Sequence, residues 1–274
     1  METIYLNATN LGYWKNKSTS NVIALGFFDG IHKGHQKVIR TAVKKAKEKS
    51  LPVTVMSFFP HPKVVLSNGK KKFDYIMPLT EKGKVLESLG VDIFYIVEFD
   101  KRFASLSPEE YVANYLLDFG VVHAVAGYDF TYGKFGAGHI DRMVEDGKDM
   151  LEVTKVGKVE FQGEKISSTS IREMLATGSI ENFPHILGRS YELECKWNGN
   201  SFEPLPYYTM PESGCYSVTI HKNNKLFQVN VNVSDDRNTI YFKDYKNSEF
   251  SNGEKVTITW HNRIENEVVY FYSS

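Results

Sequence analysis

The chain has 274 residues, 42% of them hydrophobic and 24% charged, and its 33 basic and 33 acidic side chains cancel to zero net charge. That length has room for two domains or one large one, and the charge balance gives no global argument for a nucleic-acid or membrane partner, so any phosphate-binding surface must be local. Two cysteines far apart, no basic-then-apolar leader and no bilayer-length apolar run make a cytoplasmic, reduced protein the simplest expectation.

In chain order, Val22–Phe27 reads as a strand. The set Val38, Ile39, Ala42, Val43 and Ala46 then has helical spacing between Gly34 and Ser50. Pro52–Phe58 is a second strand, rich in β-branched and aromatic residues. Thr80 is expected to cap a helix carrying Val85, Leu86 and Leu89, stopped by Gly90. Val91–Val97 is a third strand. Ser107-Pro108-Glu109-Glu110 predicts a capping box with proline at the first helical position, and that helix should end at Gly120. Val121–Gly127 and Met150–Val156 are the fourth and fifth strands. Repeated strand–helix–strand units imply a parallel, helix-covered, Rossmann-like α/β sheet, whose ligands bind outside the strands' carboxyl ends. After Gly188 helical spacing vanishes. Short alternating runs appear at Cys215–His221, Leu226–Val233, Thr239–Phe242, Val256–Trp260 and Val268–Tyr272, predicting a small antiparallel β-barrel. The expected division is therefore 1–188 and 189–274.

The first strand breaks into Gly26-Phe27-Phe28-Asp29-Gly30-Ile31-His32-Lys33-Gly34-His35. A strand that delivers a glycine-flanked turn to a sheet edge, followed by a helix with free N–H groups, suits a phosphate ligand. His32 and His35, three residues apart at the helix start, can face one point and stabilise charge on a phosphoryl group. A structural pair is the plain alternative. Zinc is another, with only Asp29 and His61 nearby to complete the ligand set.

A second cluster, Lys165-Ile166-Ser167-Ser168-Thr169-Ser170-Ile171-Arg172, places hydroxyls at a helix start and a guanidinium one turn in. An ordinary N-cap accounts for one serine; an anion site accounts for the run and the arginine. Phe58-Phe59-Pro60-His61-Pro62 is either a tight turn against the core or one wall for a flat aromatic ligand. Gly127-Tyr128-Asp129-Phe130-Thr131-Tyr132-Gly133 is either a flexible loop or a ligand contact, and Phe99-Asp100-Lys101-Arg102-Phe103 either a solvated loop or a lid. Neither a P-loop nor a dinucleotide fingerprint is present.

The segments GFFDGIHKGH, SFFPHP, FDKRFASLSPEEY, GYDFTYG, ISSTSIREML and ILGRS, in this order over roughly residues 20–190, resemble the prokaryotic bifunctional riboflavin kinase/FAD synthetase family, in its FMN adenylyltransferase module. The resemblance implies attack of the FMN phosphate on the α-phosphorus of ATP, giving FAD and pyrophosphate, with Mg2+. It implies that His32 and His35 contact the α-phosphate. Ser167, Ser168, Thr169 and Arg172 would hold the triphosphate and the leaving pyrophosphate. Gly26, Phe27, Asp29 and Gly34 would lie along ATP, and Phe58, Pro60, His61, Pro62, Asp129 and Phe130 on the flavin side. The imidazole corner and the hydroxyl–guanidinium corner are thus expected to converge on one nucleotide.

The departures are as informative. Gly188-Arg189-Ser190-Tyr191 leads into Trp197-Asn198-Gly199, and the P-T-A-N motif that serves ATP and metal in the kinase domain occurs nowhere in the sequence. Gly214-Cys215-Tyr216 onward still resembles the kinase barrel, and Arg263-Ile264-Glu265-Asn266-Glu267 faintly resembles its catalytic-glutamate region. The long helix that follows there in the family is not expected, since the sequence stops at Ser274. The glycine-rich loop lacks the arginine that the family often carries near position 136. These features imply an FAD synthetase with a shortened, kinase-inactive barrel, acting on the small molecules ATP and FMN, with no nucleic-acid or membrane partner. Bifunctional activity, adenylyl or cytidylyl transfer to another phosphate, and a flavin-sensing regulator are the alternatives.

Overall fold

The structure, a computed structural model, describes residues 1–243 and 249–264. Glu265, Asn266, Glu267 and the strand expected at Val268–Tyr272 lie outside the described residues. By compactness the chain divides into Met1–Phe73 with Met77–Ile166, and Asp74–Ile76 with the described part of Ser167–Ser274. The change in sequence character at Leu187-Gly188 falls inside the second unit.

The first unit contains strands β1 (Glu2–Leu6), β2 (Asn21–Leu25), β3 (Val53–Phe59), β4 (Ile93–Glu98) and β5 (Val121–Gly127). It continues with β6 (Thr131–Tyr132), β7 (Gly138–His139), β8 (Glu152–Val156), β9 (Glu160–Phe161) and β10 (Glu164–Lys165). Its helices are α1 (Leu11–Lys17), α2 (Lys33–Lys49), α3 (Pro62–Leu66), α4 (Leu79–Ser88), α5 (Pro108–Tyr115) and α6 (Met143–Asp146). Six strands form a parallel sheet in the order β1-β4-β3-β2-β5-β8. The chain winds outward from β2 through β3 to β4, then returns to place β5 against the other side of β2. That reversal is a topological switch point, where such sheets open a crevice beyond their carboxyl ends.

Alternate residues of the central strands feed two cores. Val22, Ala24, Val53, Val55, Phe94, Ile96 and Val125 pack with Val38, Ile39, Ala42 and Ala46 of α2 and Leu86 of α4. Ile23, Leu25, Met56, Tyr95, Val97, Ala124 and Ala126 pack with Tyr111 and Val112 of α5 and Met143 of α6. With helices on both faces, β2 is buried along its whole length, which is why it reads as an unbroken apolar run.

Three sequence expectations change. The sheet has a sixth strand, β1, whose five residues bury only Ile4 and Leu6 because it lies at the edge. The α4 helix starts at Leu79 behind Pro78, whose fixed φ of −59° leads into the helix, so Thr80 lies in the first turn and does not cap it. The helix opened by Ser107 ends at Tyr115, and a 3-10 turn, Leu117–Phe119, completes the run to Gly120.

The second unit carries α7 (Ser168–Thr177), α8 (Phe183–Leu187) and strands β11 (Tyr191–Trp197), β12 (Phe202–Pro204), β13 (Gly214–Lys222), β14 (Lys225–Val233), β15 (Ile240–Phe242) and β16 (Lys255–Ile264). These strands close into an antiparallel barrel in the order β11-β12-β15-β14-β13-β16. Closure removes the unpaired edges that a small sheet would otherwise expose. Trp197, Phe202 and Phe250 fill the interior with mutual ring contacts, and Cys195 and Cys215 are both free and buried.

Candidate active site

The segments singled out in the sequence after β2, β3 and β5 all leave the carboxyl edge of the first unit's sheet. The β2 loop is the tightest. Phe28 is buried in the left-handed region at φ 53°, Gly30 follows at φ 77°, and Ile31 lies at φ 35°. This sharp reversal brings His32 to the N-cap of α2, where its Nδ1 accepts a hydrogen bond of 3.2 Å from the backbone N–H of His35. That bond consumes one of the orphan donors of the helix start and leaves the His32 Nε2 to carry the ring proton in the neutral tautomer.

The His35 ring stacks on that of His32 with centroids 3.6 Å apart and planes inclined by 20°. Phe28 meets His35 edge-on at 5.3 Å. Burial holds the His35 pKa well below the ordinary imidazole value, helped by the neighbouring His32, Lys82 and Lys165. His35 is therefore a neutral imidazole at physiological pH, and its Nδ1 has no hydrogen-bond partner among the described residues. A buried polar atom left open in this way suits a ligand that completes it.

Gly34 makes the stack possible. A Cβ there would approach Cε1 and Nδ1 of His32 to 3.0 Å. Gly26 is equally constrained, since its Cβ would lie 2.9 Å from the Phe28 ring. At Gly26 and Gly34 the missing Cβ makes room for the protein's own rings.

The remaining positions fall into separate groups. Phe27 meets His61 edge-on at 4.7 Å, and His61 stacks on Phe73 at 3.7 Å, so three rings form one aromatic wall. Phe73, between a lysine run and Asp74, carries no sequence signal of this contact. Phe58 points elsewhere, against Phe99 and Phe103. Pro60 follows a cis peptide bond, and Pro62 begins α3 behind His61, whose Nδ1 accepts from the Lys63 N–H at 3.0 Å. Asp129 pairs with Lys165 at 2.6 Å, and Phe130 packs against Tyr132. Asp29 is buried and accepts a 3.2 Å hydrogen bond from the Met77 N–H.

Within the second unit, Ser167 caps α7 in a reciprocal capping box with Ser170. Thr169 is exposed on the first turn. The Arg172 guanidinium donates to the Asp74 carbonyl at 2.7 Å and to the Thr209 hydroxyl at 3.0 Å. Cap, hydroxyls and guanidinium therefore share one helix end, as anion binding requires. Among the described residues no cluster of three or more His, Cys, Asp or Glu is placed to hold a metal ion.

A doubly wound parallel sheet with stacked imidazoles at the switch-point helix start suits a nucleotide-binding enzyme, and the sequence carries no P-loop. A family profile described as FAD synthetase matches residues 14–170. The bifunctional riboflavin kinase/FMN adenylyltransferase of Bacillus subtilis strain 168 is 35% identical, covering 92% of this chain and 87% of that protein. A Listeria monocytogenes protein named FAD synthetase is 30% identical, covering 83% of this chain and 93% of that protein. A crystal structure described as a macrolide-efflux protein from Streptococcus pneumoniae is 29% identical, with a TM-score of 0.83 over 96% of this chain and 100% of that one. With this coverage the chain belongs to the FAD synthetase family. No helix among the described residues is long and apolar enough to cross a membrane.

Proposed function

We propose that the chain transfers AMP from ATP to FMN, giving FAD and pyrophosphate, and does not phosphorylate riboflavin. The observation that carries the transfer is the imidazole stack at the start of α2, with His35 held neutral, at the switch point. Phosphoryl chemistry of this kind needs positioning and fixed donors more than a protein nucleophile. His32 and His35 present ring N–H groups to the α-phosphate as charge shifts from the attacking FMN oxygen to the leaving pyrophosphate oxygen. A neutral His35 suits this task, because it donates without exchanging a proton as the transition state forms. Ser167, Ser168, Thr169 and Arg172 hold the triphosphate and the departing pyrophosphate. Gly26, Phe27, Asp29 and Gly34 shape the ATP side. The aromatic wall of Phe27, His61 and Phe73 offers a face for a flat ring. Phe58, Pro60, Pro62, Asp129 and Phe130 shape the flavin loops.

Mg2+ would reach the protein with the triphosphate, because its preferred ligands are phosphate oxygens, waters and one or two carboxylates. The described residues hold no preformed cage for it, and no step above depends on one. The barrel, within residues 189–274, is assigned no kinase role because the sequence lacks P-T-A-N.

Incubation of the purified chain with ATP and FMN, followed by chromatography, should yield FAD and pyrophosphate. Riboflavin with ATP should yield no FMN. FMN formation would show a bifunctional enzyme, and absence of FAD with FMN as acceptor would reject the transfer itself.

A further inference from the structure

Lys82 is the most anomalous side chain in the first unit. It lies on α4, its side chain is completely buried, and among the described residues no carboxylate pairs with it. Its Nζ donates to the Phe27 carbonyl at 2.8 Å and to Ser57 Oγ at 3.2 Å, and sits 4.9 Å over the Phe27 ring. Ser57 Oγ itself donates to the same Phe27 carbonyl at 2.7 Å. The carbonyl would therefore keep a partner if the ammonium were absent. Burying a cation is costly, the Asp29 carboxylate offsets that cost only in part, and the backbone group Lys82 touches is already satisfied. Stability gives no reason for a lysine at this position. Its surroundings give another, since Phe27 opens the turn that delivers His32 and His35.

We propose that Lys82 is a positioning residue of the transfer reaction: its buried ammonium fixes the Phe27–Gly30 turn and sets the electrostatic field in which His35 works. The charged and titratable groups acting on this centre are Asp29 from the turn, His32 and His35 from α2, and Lys165 from β10. Burial lowers the Lys82 pKa to about 8, with Asp29 opposing. The positive charge of Lys82 in turn pushes the His35 pKa down. Lys82 thus adds to the burial and the His32 ring that keep His35 neutral, while remaining charged itself at neutral pH. This assignment rests on the transfer reaction proposed above, but part of its test needs no substrate.

The test is Lys82→Met, which preserves side-chain bulk and removes charge, in the full chain. The thermal midpoint should stay level or rise, since a desolvated charge is lost and the Phe27 carbonyl keeps Ser57. The His35 ring, followed by proton NMR without substrate, should titrate at higher pH than in the parent. Turnover should fall at least about tenfold with KM for ATP and FMN little changed, the pattern of a lost transition-state contribution. An unmoved His35 titration together with near-parental turnover would overturn the proposal. So would a turnover loss accompanied by a matching loss of thermal stability with no change in His35. If the variant does not fold, the parent enzyme decides: turnover should decline as pH rises through the Lys82 titration near 8. A rate that stays flat to about pH 9.5 would overturn it. Because the His35 titration is read without ATP or FMN, it remains informative even if the acceptor proves to be another phosphate.

Discussion

At the scale of single residues, the site depends on ring placement more than on charge. His35 is held neutral by burial and by the positive groups around it. Its folded pKa lies below the unfolded value, so on acidification the unfolded chain binds a proton that the folded chain refuses. The His35 contribution is therefore complete above the ordinary imidazole value of 6.5 and is lost as pH falls below it. Urea midpoints should drop between about pH 7 and pH 5, and the drop should be smaller in His35→Asn. An equal drop in both proteins would contradict a neutral buried His35. Gly34 gives a complementary test. A methyl group there presses on the His32 ring from 3.0 Å, so Gly34→Ala should keep the thermal midpoint while turnover falls about ten- to a hundredfold. Unchanged turnover would show that the His32 ring position is not critical.

At the scale of elements, helix starts do most of the organising. Ser107 and Glu110 form the capping box that the sequence announces, with Pro108 at the first helical position. Ser107→Ala should cost about 1 kcal/mol in chemical denaturation and leave turnover unchanged. A loss of activity at equal folded fraction would assign the segment a role in the site. The elements that were legible in sequence have strong local signals: the apolar run of β2, the capping box of α5, and the serine cluster ended by Gly178 in α7. What escaped has weak local signals. The β1 edge strand buries only two side chains, so little of its pattern distinguishes it from loop. The α4 start looked like a threonine cap because backbone entry through Pro78 leaves no side-chain mark. Lys82 looked like any lysine on a charged helix; only the fold buries it. Phe73 is likewise joined to His61 by tertiary packing across α3, not by spacing.

At the scale of the whole molecule, the sequence pattern separated an α/β sheet from a β-barrel, and both are present. The barrel is closed around an aromatic core, within a compact unit that also holds α7, α8 and Asp74–Ile76. Its lack of P-T-A-N predicts that riboflavin is not phosphorylated at any ATP concentration. Relatives named as bifunctional and one named only as an FAD synthetase both resemble the chain over most of its length, so the riboflavin assay separates the two behaviours. The adenylyl transfer is assigned to the imidazole stack whichever way that assay falls.

The most direct test of that assignment is single-turnover formation of FAD from ATP and FMN by the parent chain and by His35→Ala, with ATP binding measured on both. The expected result is a rate lowered by about two to three orders of magnitude in the variant, with ATP still bound. A variant that makes FAD at near-parental speed would contradict the central role given to the stacked histidines.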